Sequence, residues 1–286
     1  MPKYVVDIGG LGLSGITFSQ SDGLRIGATT TIAAIQEDPR VPANFGALFQ
    51  ASAGHPVQIA NQATIAGNLA QEVWCWYLRN NYDCWRNGGN VCYGVIGDNR
   101  YYQSIFGGRP CHAVHAGDIA PALFALDAEV SVFGPSGSTS MPIGQFMPGT
   151  FVAEGQVKGN ILRSNEIITE IHIPALSACS RSSFFKVSDR GAIDFALASC
   201  AVCCSFTGVT VSGARIVLGA VSGDPIRATA AEEYLVGRQL TEDVVSQAAE
   251  KALGDAAPLT HGTGNQFRVY LAQGAVKNAL RRLNNT

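Results

Sequence analysis

The chain has 286 residues, with 20 Lys and Arg against 22 Asp and Glu, and its net charge of −2 comes without any basic cluster. That balance excludes the electrostatic footprint of a nucleic-acid binder, and no apolar stretch approaches the roughly 20 residues that cross a bilayer. Length allows one large domain or two modest ones with a buried core. The N-terminus lacks a charged region followed by an apolar run, so a soluble cytoplasmic protein without membrane contact is expected. Eight cysteines in such a chain read as thiols or metal ligands rather than as a disulfide framework.

In chain order, residues 4–8 and 24–26 suit short strands. A capped helix is expected to begin near Thr30 or Thr31 and stop around Pro39, and residues 45–53 suit a second short helix. Residues 55–68 (HPVQIANQATIAGN) come nearest to announcing a chemistry. Within residues 60–70 nearly every side chain is small or carries an amide or hydroxyl, and only Ile65 and Leu69 are large and apolar. Gly67 lets main chain approach a ligand, consecutive N–H groups at a turn make an anion-binding concavity, and Thr64 and Asn68 add side-chain hydrogen bonds. A polar turn between two core segments is the plainer reading of the same residues.

Residues 72–108 hold three Trp and five Tyr with little periodicity, and read as a long loop without its own core. Regular structure returns at Cys111 as a strand, a turn, a short helix and another strand, with a hairpin turn at residues 134–137. Residues 161–173 give the last strand before Pro174, and residues 174–181 a linker. Three antiparallel strands then follow at residues 183–187, 193–209 and 214–221, and three helical patterns at 229–236, 241–252 and 265–282. Strands followed by helices indicate an α+β lobe. Cys200, Cys203 and Cys204 lie in an apolar run and read as core, whereas Cys179 stands alone.

Residues 59–69 (IANQATIAGNL) closely resemble the I-x-N-x-A-T-I-G-G-N-L flavin loop of the FAD-binding medium subunit of molybdenum hydroxylases, the xanthine dehydrogenase and aldehyde oxidoreductase family. Ala66 replaces the usual glycine and requires a negative φ there. The preceding GLRIGATTTIAAIQEDPRV resembles the family's strand and first helix, and the match covers nearly the whole chain. The resemblance implies an FAD-binding domain of the vanillyl-alcohol-oxidase and CO-dehydrogenase flavoprotein type over residues 1–176. A small antiparallel sheet backed by helices over residues 177–286 would close over the flavin.

It also implies cofactor contacts from Gly54, Thr64, Ile65, Ala66, Gly67, Asn68, Asp118, Ile168 and Lys186. Asp118, in His115-Ala116-Gly117-Asp118, resembles the aspartate that approaches ribose or ribityl hydroxyls; as an N-cap for the following helix it has an equally good physical reason to be there. Lys186 resembles the family lysine near the flavin ring, with a plain surface role as its alternative, and Ile168 an apolar residue that contacts the cofactor by its backbone. Arg190 and Asp194 fit the family's R-x-x-x-D spacing, or an ordinary surface ion pair. The family's first glycine-rich phosphate loop, A-G-G-T-D-x-x-P or similar, has no counterpart ahead of Val6-Asp7-Ile8. Gly9, Gly10 and Gly12 do not replace it, so a missing first lobe and a weakened diphosphate cradle are expected.

Cys75, Cys84, Cys92 and Cys111 are spaced C-x8-C-x7-C-x18-C, unlike the tight patterns of zinc fingers or bacterial ferredoxins. Four thiols in a loop lacking a core are nevertheless what a cluster would explain, since the metal replaces missing hydrophobic packing. The insertion, residues 72–110, resembles that of family members whose flavin subunit carries an extra 4Fe-4S cluster, namely periplasmic-type aldehyde oxidoreductases and 4-hydroxybenzoyl-CoA reductase. Structural cysteines and a zinc site are the other readings. The aromatic residues Trp74, Trp76, Trp85, Tyr93, Tyr101 and Tyr102 either dock a partner or pack around the cluster.

The resemblance thus implies an oxidoreductase subunit that uses FAD to pass electrons between iron-sulfur centres and an external acceptor. The 2Fe-2S small subunit and the molybdopterin-binding large subunit would be its partners in a heterotrimer or its dimer. A flavin-free scaffold subunit is the alternative. No Ser-His-Asp order, His-rich motif or carboxylate pair suggests substrate chemistry in this chain, which disfavours a free-standing flavin oxidase.

Overall fold

The computed structural model describes residues 4–153, 156–191 and 193–284. Residues 4–8 form no strand; Tyr4, Val5 and Val6 are exposed, and no described strand runs beside them to supply the ladder hydrogen bonds that a strand needs. The first strand is β1 (Ile16–Ser19), which turns into β2 (Gly23–Gly27). Helix α1 (Ile32–Glu37) starts at Thr31, whose hydroxyl accepts from the Ala34 N–H, a cap worth about 1 kcal/mol. Short helices α2 (Arg40–Asn44) and α3 (Gly46–Ala53) follow.

The stretch expected as a polar loop is two short helices, α4 (Val57–Ala60) and α5 (Ile65–Ala70). Ala66 lies inside α5 and so has the negative φ it requires. The insertion carries only α6 (Trp76–Arg79) and a single 3-10 turn. It is not coreless, however: Val73, Cys75, Cys111, Ala113 and Val157 form a small buried cluster with Tyr77 and Leu78 against it. Residues 111–114 make only isolated bridges, Trp74 with Val114 and Gln103 with Ala113, in place of the expected strand.

Next come α7 (Ile119–Ala125), β3 (Glu129–Gly134), β4 (Gly137–Pro142), α8 (Ile143–Phe146), the small ribbon β5 (Phe151–Ala153) and β6 (Gln156–Lys158), and β7 (Ile167–Ile173). The first sheet has the order β1-β2-β7-β3-β4 and is antiparallel throughout.

The second sheet is built from β8 (Ser180–Val187), β9 (Ala198–Thr207), β10 (Thr210–Gly219) and β11 (Ile226–Arg227), in the order β11-β10-β9-β8. Helices α9 (Thr229–Leu235), α10 (Glu242–Ala252) and α11 (Phe267–Arg282) complete the chain. Strand side chains alternate between faces. On β9, Ala201 and Cys203 accordingly enter the core shared with α3 and α7, while Cys200, Val202 and Cys204 enter the core shared with α9, α10 and α11. Burial on both faces is why β9 reads as a continuous apolar run with cysteines serving as small hydrophobes. Among the described residues no helix is long and apolar enough to cross a membrane.

Candidate functional site

A cleft enclosing about 880 Å³ opens where α3, α5, the start of α7 and the end of β8 meet. Of the expected cofactor residues it brings together Gly54, Asn68, Asp118 and Lys186. Thr64, Ile65, Ala66 and Gly67 are not among its lining residues, and neither is Ile168, which is buried in β7 within the first core. The expected backbone cradle is also already occupied. The N–H of Ile65 donates to the Thr30 carbonyl at 3.0 Å, that of Ala66 to the Ala28 carbonyl at 3.2 Å, and that of Gly67 to Thr64 Oγ1 at 3.1 Å. These bonds lash α5 to the end of β2, and what the turn presents to the cleft is the Asn68 side chain.

The orientation of that side chain follows from His55. His55 Nδ1 lies 3.0 Å from the Ser52 carbonyl, which can only accept, so Nδ1 carries the hydrogen of the neutral ring and Nε2 is left as an acceptor. Asn68 Nδ2 donates to that Nε2 at 3.2 Å, which leaves Asn68 Oδ1 buried and without a partner among the described residues. Asp118 does not cap α7: its φ of −74° and ψ of −27° are helical, where a cap is extended, and it makes no capping bond. Its carboxylate is buried instead. Lys186 Nζ donates to Oδ2 at 2.7 Å, and Oδ1 has no partner among the described residues. Burial pushes the Asp118 carboxyl up from its ordinary value, and the Lys186 ammonium works against that push. The ion pair answers the alternative for Lys186, whose side chain is only 16 % exposed.

Two buried, unpartnered acceptors on residues that line one cleft are a costly arrangement in a folded chain unless a donor arrives to meet them. They match a ligand rich in hydroxyl or N–H groups. FAD, whose ribityl and ribose hydroxyls are such donors, fits the residues present. Gly117 was not singled out as a contact residue, yet a Cβ there would lie 2.7 Å from Gln71 Nε2 and 3.0 Å from Asn68 Oδ1. His115, buried and satisfied by the Leu69 carbonyl and the Gly117 N–H, is a structural histidine, as its place in a turn suggested. Phe195 and Asp194 also line the cleft, and Arg190 pairs with Asp194 at its rim.

A second, tighter cavity is lined by all four expected cysteines, Cys75, Cys84, Cys92 and Cys111. Donors surround the sulfurs. Gln103 Nε2 lies 3.6 Å from Cys75 Sγ and Arg86 Nε 3.3 Å from Cys111 Sγ. All eight cysteines are free thiols. Among the described residues no three His, Cys, Asp or Glu side chains converge as ligands of a single ion. Trp74, adjacent to Cys75, packs its ring 4.7 Å from that of Phe195, so one aromatic contact spans from the cysteine segment to the wall of the cleft.

Comparison with known proteins gives the family. Residues 1–176 match the family model described as the FAD binding domain in molybdopterin dehydrogenase, and residues 183–283 the CO dehydrogenase flavoprotein C-terminal domain. The aldehyde oxidoreductase FAD-binding subunit PaoB of Escherichia coli is 32 % identical over 286 residues, which cover 98 % of this chain and 84 % of that protein. The carbon monoxide dehydrogenase medium chain of Hydrogenophaga pseudoflava is 31 % identical over 62 % of this chain and 60 % of its own length. A chain in a solved structure of carbon monoxide dehydrogenase from the same organism superimposes with a TM-score of 0.70 at 26 % identity, over 96 % of this chain and 78 % of that one. Quinoline 2-oxidoreductase of Pseudomonas putida, at 21 % identity and a TM-score of 0.69 over 96 % of this chain and 78 % of its own, shares the fold. With more than half of its length matched by the FAD-binding model and the remainder by its usual C-terminal companion, the chain belongs to the FAD-binding subunit family of the molybdopterin dehydrogenases.

Proposed function

We propose that the cleft binds FAD and the cysteine cavity a 4Fe-4S cluster, in a flavin subunit that passes electrons between iron-sulfur centres and an external acceptor within a molybdenum-containing hydroxylase. The pair of buried, unsatisfied acceptors, Asn68 Oδ1 and Asp118 Oδ1, carries the FAD assignment. FAD supplies the redox chemistry when bound, and the protein supplies orientation and electrostatics. Asp118 and Asn68 accept from cofactor hydroxyls; Lys186 opposes the effect of burial on the Asp118 carboxyl and brings a positive charge to the cleft. Ile65, Ala66 and Gly67 act by fixing Asn68 rather than by donating amides, since their N–H groups are already used, and Thr64 acts through its hydroxyl and carbonyl, which hold the Gly67 and Asn68 amides. We divide the chain into a cofactor domain, residues 1–176 with the insertion 72–110, and a C-terminal domain, residues 177–286.

The cluster assignment is supported by four thiols on one cavity and by the N–H donors around their sulfurs, which stabilise thiolate charge. Cys75, Cys84, Cys92 and Cys111 are its ligands in this reading. The relatives are named as FAD-binding subunits and medium chains, which supports assembly with a 2Fe-2S small subunit and a molybdopterin-binding large subunit in a heterotrimer or its dimer. Eight free thiols suit a reducing cytoplasm.

Flavin, iron and sulfide analysis of the complex purified from its native host tests both assignments. Acid treatment should release FAD in one-to-one ratio with this chain. Serine at each of the four cavity cysteines should abolish the chain's own iron and sulfide, while Cys179→Ser, at an exposed site, leaves them intact. A flavin-free complex would establish the scaffold alternative, and zinc in place of iron would overturn the cluster.

A further inference from the structure

The cysteine cavity contains a charge that ligand binding alone does not explain. Arg86 lines it with a side chain only 4 % exposed. Nε donates toward Cys111 Sγ at 3.3 Å, and Nη1 donates to Glu72 Oε2 at 2.9 Å and to the Val157 carbonyl at 3.1 Å. Nη2 is buried with no acceptor among the described residues. A guanidinium does not give up its proton inside a protein, so a full positive charge sits beside the four sulfurs. Glu72 offsets it weakly, because that carboxylate is 70 % exposed and screened by water. Cys75, by contrast, meets only the neutral Gln103 amide and backbone N–H groups.

A buried charge with an idle N–H2 face is unfavourable unless an anion stands opposite it. Four thiolates around an iron-sulfur core provide one. We propose that Arg86 is the positioning charge that raises the reduction potential of the group held in this cavity, acting through Cys111. One-electron reduction adds one negative charge to that group, and a fixed cation at hydrogen-bond distance from one of its ligands favours the more negative state. The inference rests on the cluster assignment made above. It adds that the potential is set from one side of the cavity, by a residue that is not itself a ligand.

The test uses the intact complex. Iron and sulfide are measured first, and the cluster's signal is then identified as the paramagnetic resonance that disappears in Cys75→Ser. That signal is titrated with dithionite as the electron donor in the parent, Arg86→Gln, Arg86→Lys and Glu72→Gln. Arg86→Gln should keep its iron and lower the equilibrium constant for reduction at least tenfold, about 59 mV for a one-electron couple. Arg86→Lys should recover most of that loss. Glu72→Gln, which removes the partly offsetting negative charge without disturbing the cavity wall, should shift the potential the other way, upward. A merely structural arginine would lower occupancy without moving the potential of the clusters that remain. An iron-loaded Arg86→Gln with the parental potential overturns the proposal; if that variant does not hold iron, a Glu72→Gln potential that is unchanged or lower does so. A parent complex without this cluster refutes the assignment beneath it, an outcome distinct from a loaded parent whose potential ignores both residues.

Discussion

Gly54 shows how a single residue reports on a ligand. Its φ of −73° and ψ of −4° are ordinary for any residue, and a Cβ would meet nothing closer than the Ala51 carbonyl at 3.6 Å. Neither conformation nor local space demands glycine there. The open side faces the cleft, next to Asp118 Oδ2 and Lys186. Gly54→Ala is therefore expected to fold with equal or slightly higher stability, by up to about 1 kcal/mol from lost unfolded-state entropy, while its FAD affinity falls by roughly tenfold or more, the equivalent of about 1.4 kcal/mol. Calorimetry and flavin fluorescence titration separate the two effects, and parental affinity in this variant would remove Gly54 from the binding surface. Gly117 is the opposite case, since its neighbours already exclude a side chain. Sequence marked a turn at Gly117 but carried no sign of Asn68 and Gln71 folding back against it, because that contact joins α5 to the start of α7.

At the scale of elements, periodicity was readable wherever one face met a core. The helices at α9, α10 and α11 fall within a residue or two of the expected ranges, and Thr241 caps α10 through its hydroxyl. Among the elements that escaped, two did so for different reasons. Residues 4–8 have the composition of a strand without a neighbour to pair with, and residues 57–70 have small polar side chains whose helical turns are imposed by hydrogen bonds to β2 and its following turn. The insertion divides its aromatic residues between two tasks. Tyr77, Trp85 and Tyr93 line the cysteine cavity, and Trp74 and Tyr102 pack on Phe195. Trp76 is 42 % exposed, lies 5.7 Å from the Tyr101 ring and does not line the cavity, which makes it an accessible member of the group. Trp76→Ala should weaken recovery of partner subunits with a tagged chain by roughly tenfold, the loss of an interface anchor worth above 1 kcal/mol, and leave flavin and iron content unchanged. Undiminished copurification would assign Trp76 to internal packing instead.

The molecule as a whole is tied together by polar groups far apart in sequence. Arg268 of α11 is fully buried and donates to the carbonyls of Gln103, Leu197 and Ala220, and Asn265 Nδ2 bonds the Gln103 and Ser104 carbonyls at 3.0 and 3.1 Å. The last turn of the insertion is thereby fixed to the second sheet. Burial also sets two opposed titrations. The Asp224 carboxyl is pushed up to about 6 and the His115 imidazole down to about 4. Between about pH 4 and 6 native Asp224 keeps a proton that the unfolded chain releases, so its contribution to stability falls as pH rises. Native His115 lacks a proton that the unfolded chain holds below its ordinary value, so its contribution rises with pH over nearly the same range. Each shift spans about two units, or about 3 kcal/mol. Asp224→Asn removes the first alone. Relative to the parent, its unfolding free energy should climb by roughly 3 kcal/mol from pH 4 to 6 in denaturant titrations. A difference between the two proteins that stays constant with pH would show that Asp224 does not carry the shift.

The sequence by itself determined the helical and strand periods of most elements and, through the resemblance carried by residues 59–69, the FAD-binding family, because these follow from near-neighbour patterning and from short-range similarity. Only the tertiary structure decided which polar atoms are left over. Ile65, Ala66 and Gly67 read as amide donors to a ligand until the carbonyls of Thr30 and Ala28 and the hydroxyl of Thr64 are seen to take those amides. Asp118 read equally as a cap until Lys186, 68 positions away, is found at 2.7 Å. Arg86 carried no signal at all, since its meaning lies in an unanswered, buried N–H2 on a side chain that lines a cavity of four cysteines, which the chain gathers from residues 75 to 111. A hydrogen-bonding group's role depends on whether its partners are already in place, and those partners are set by packing between segments that the linear order keeps apart.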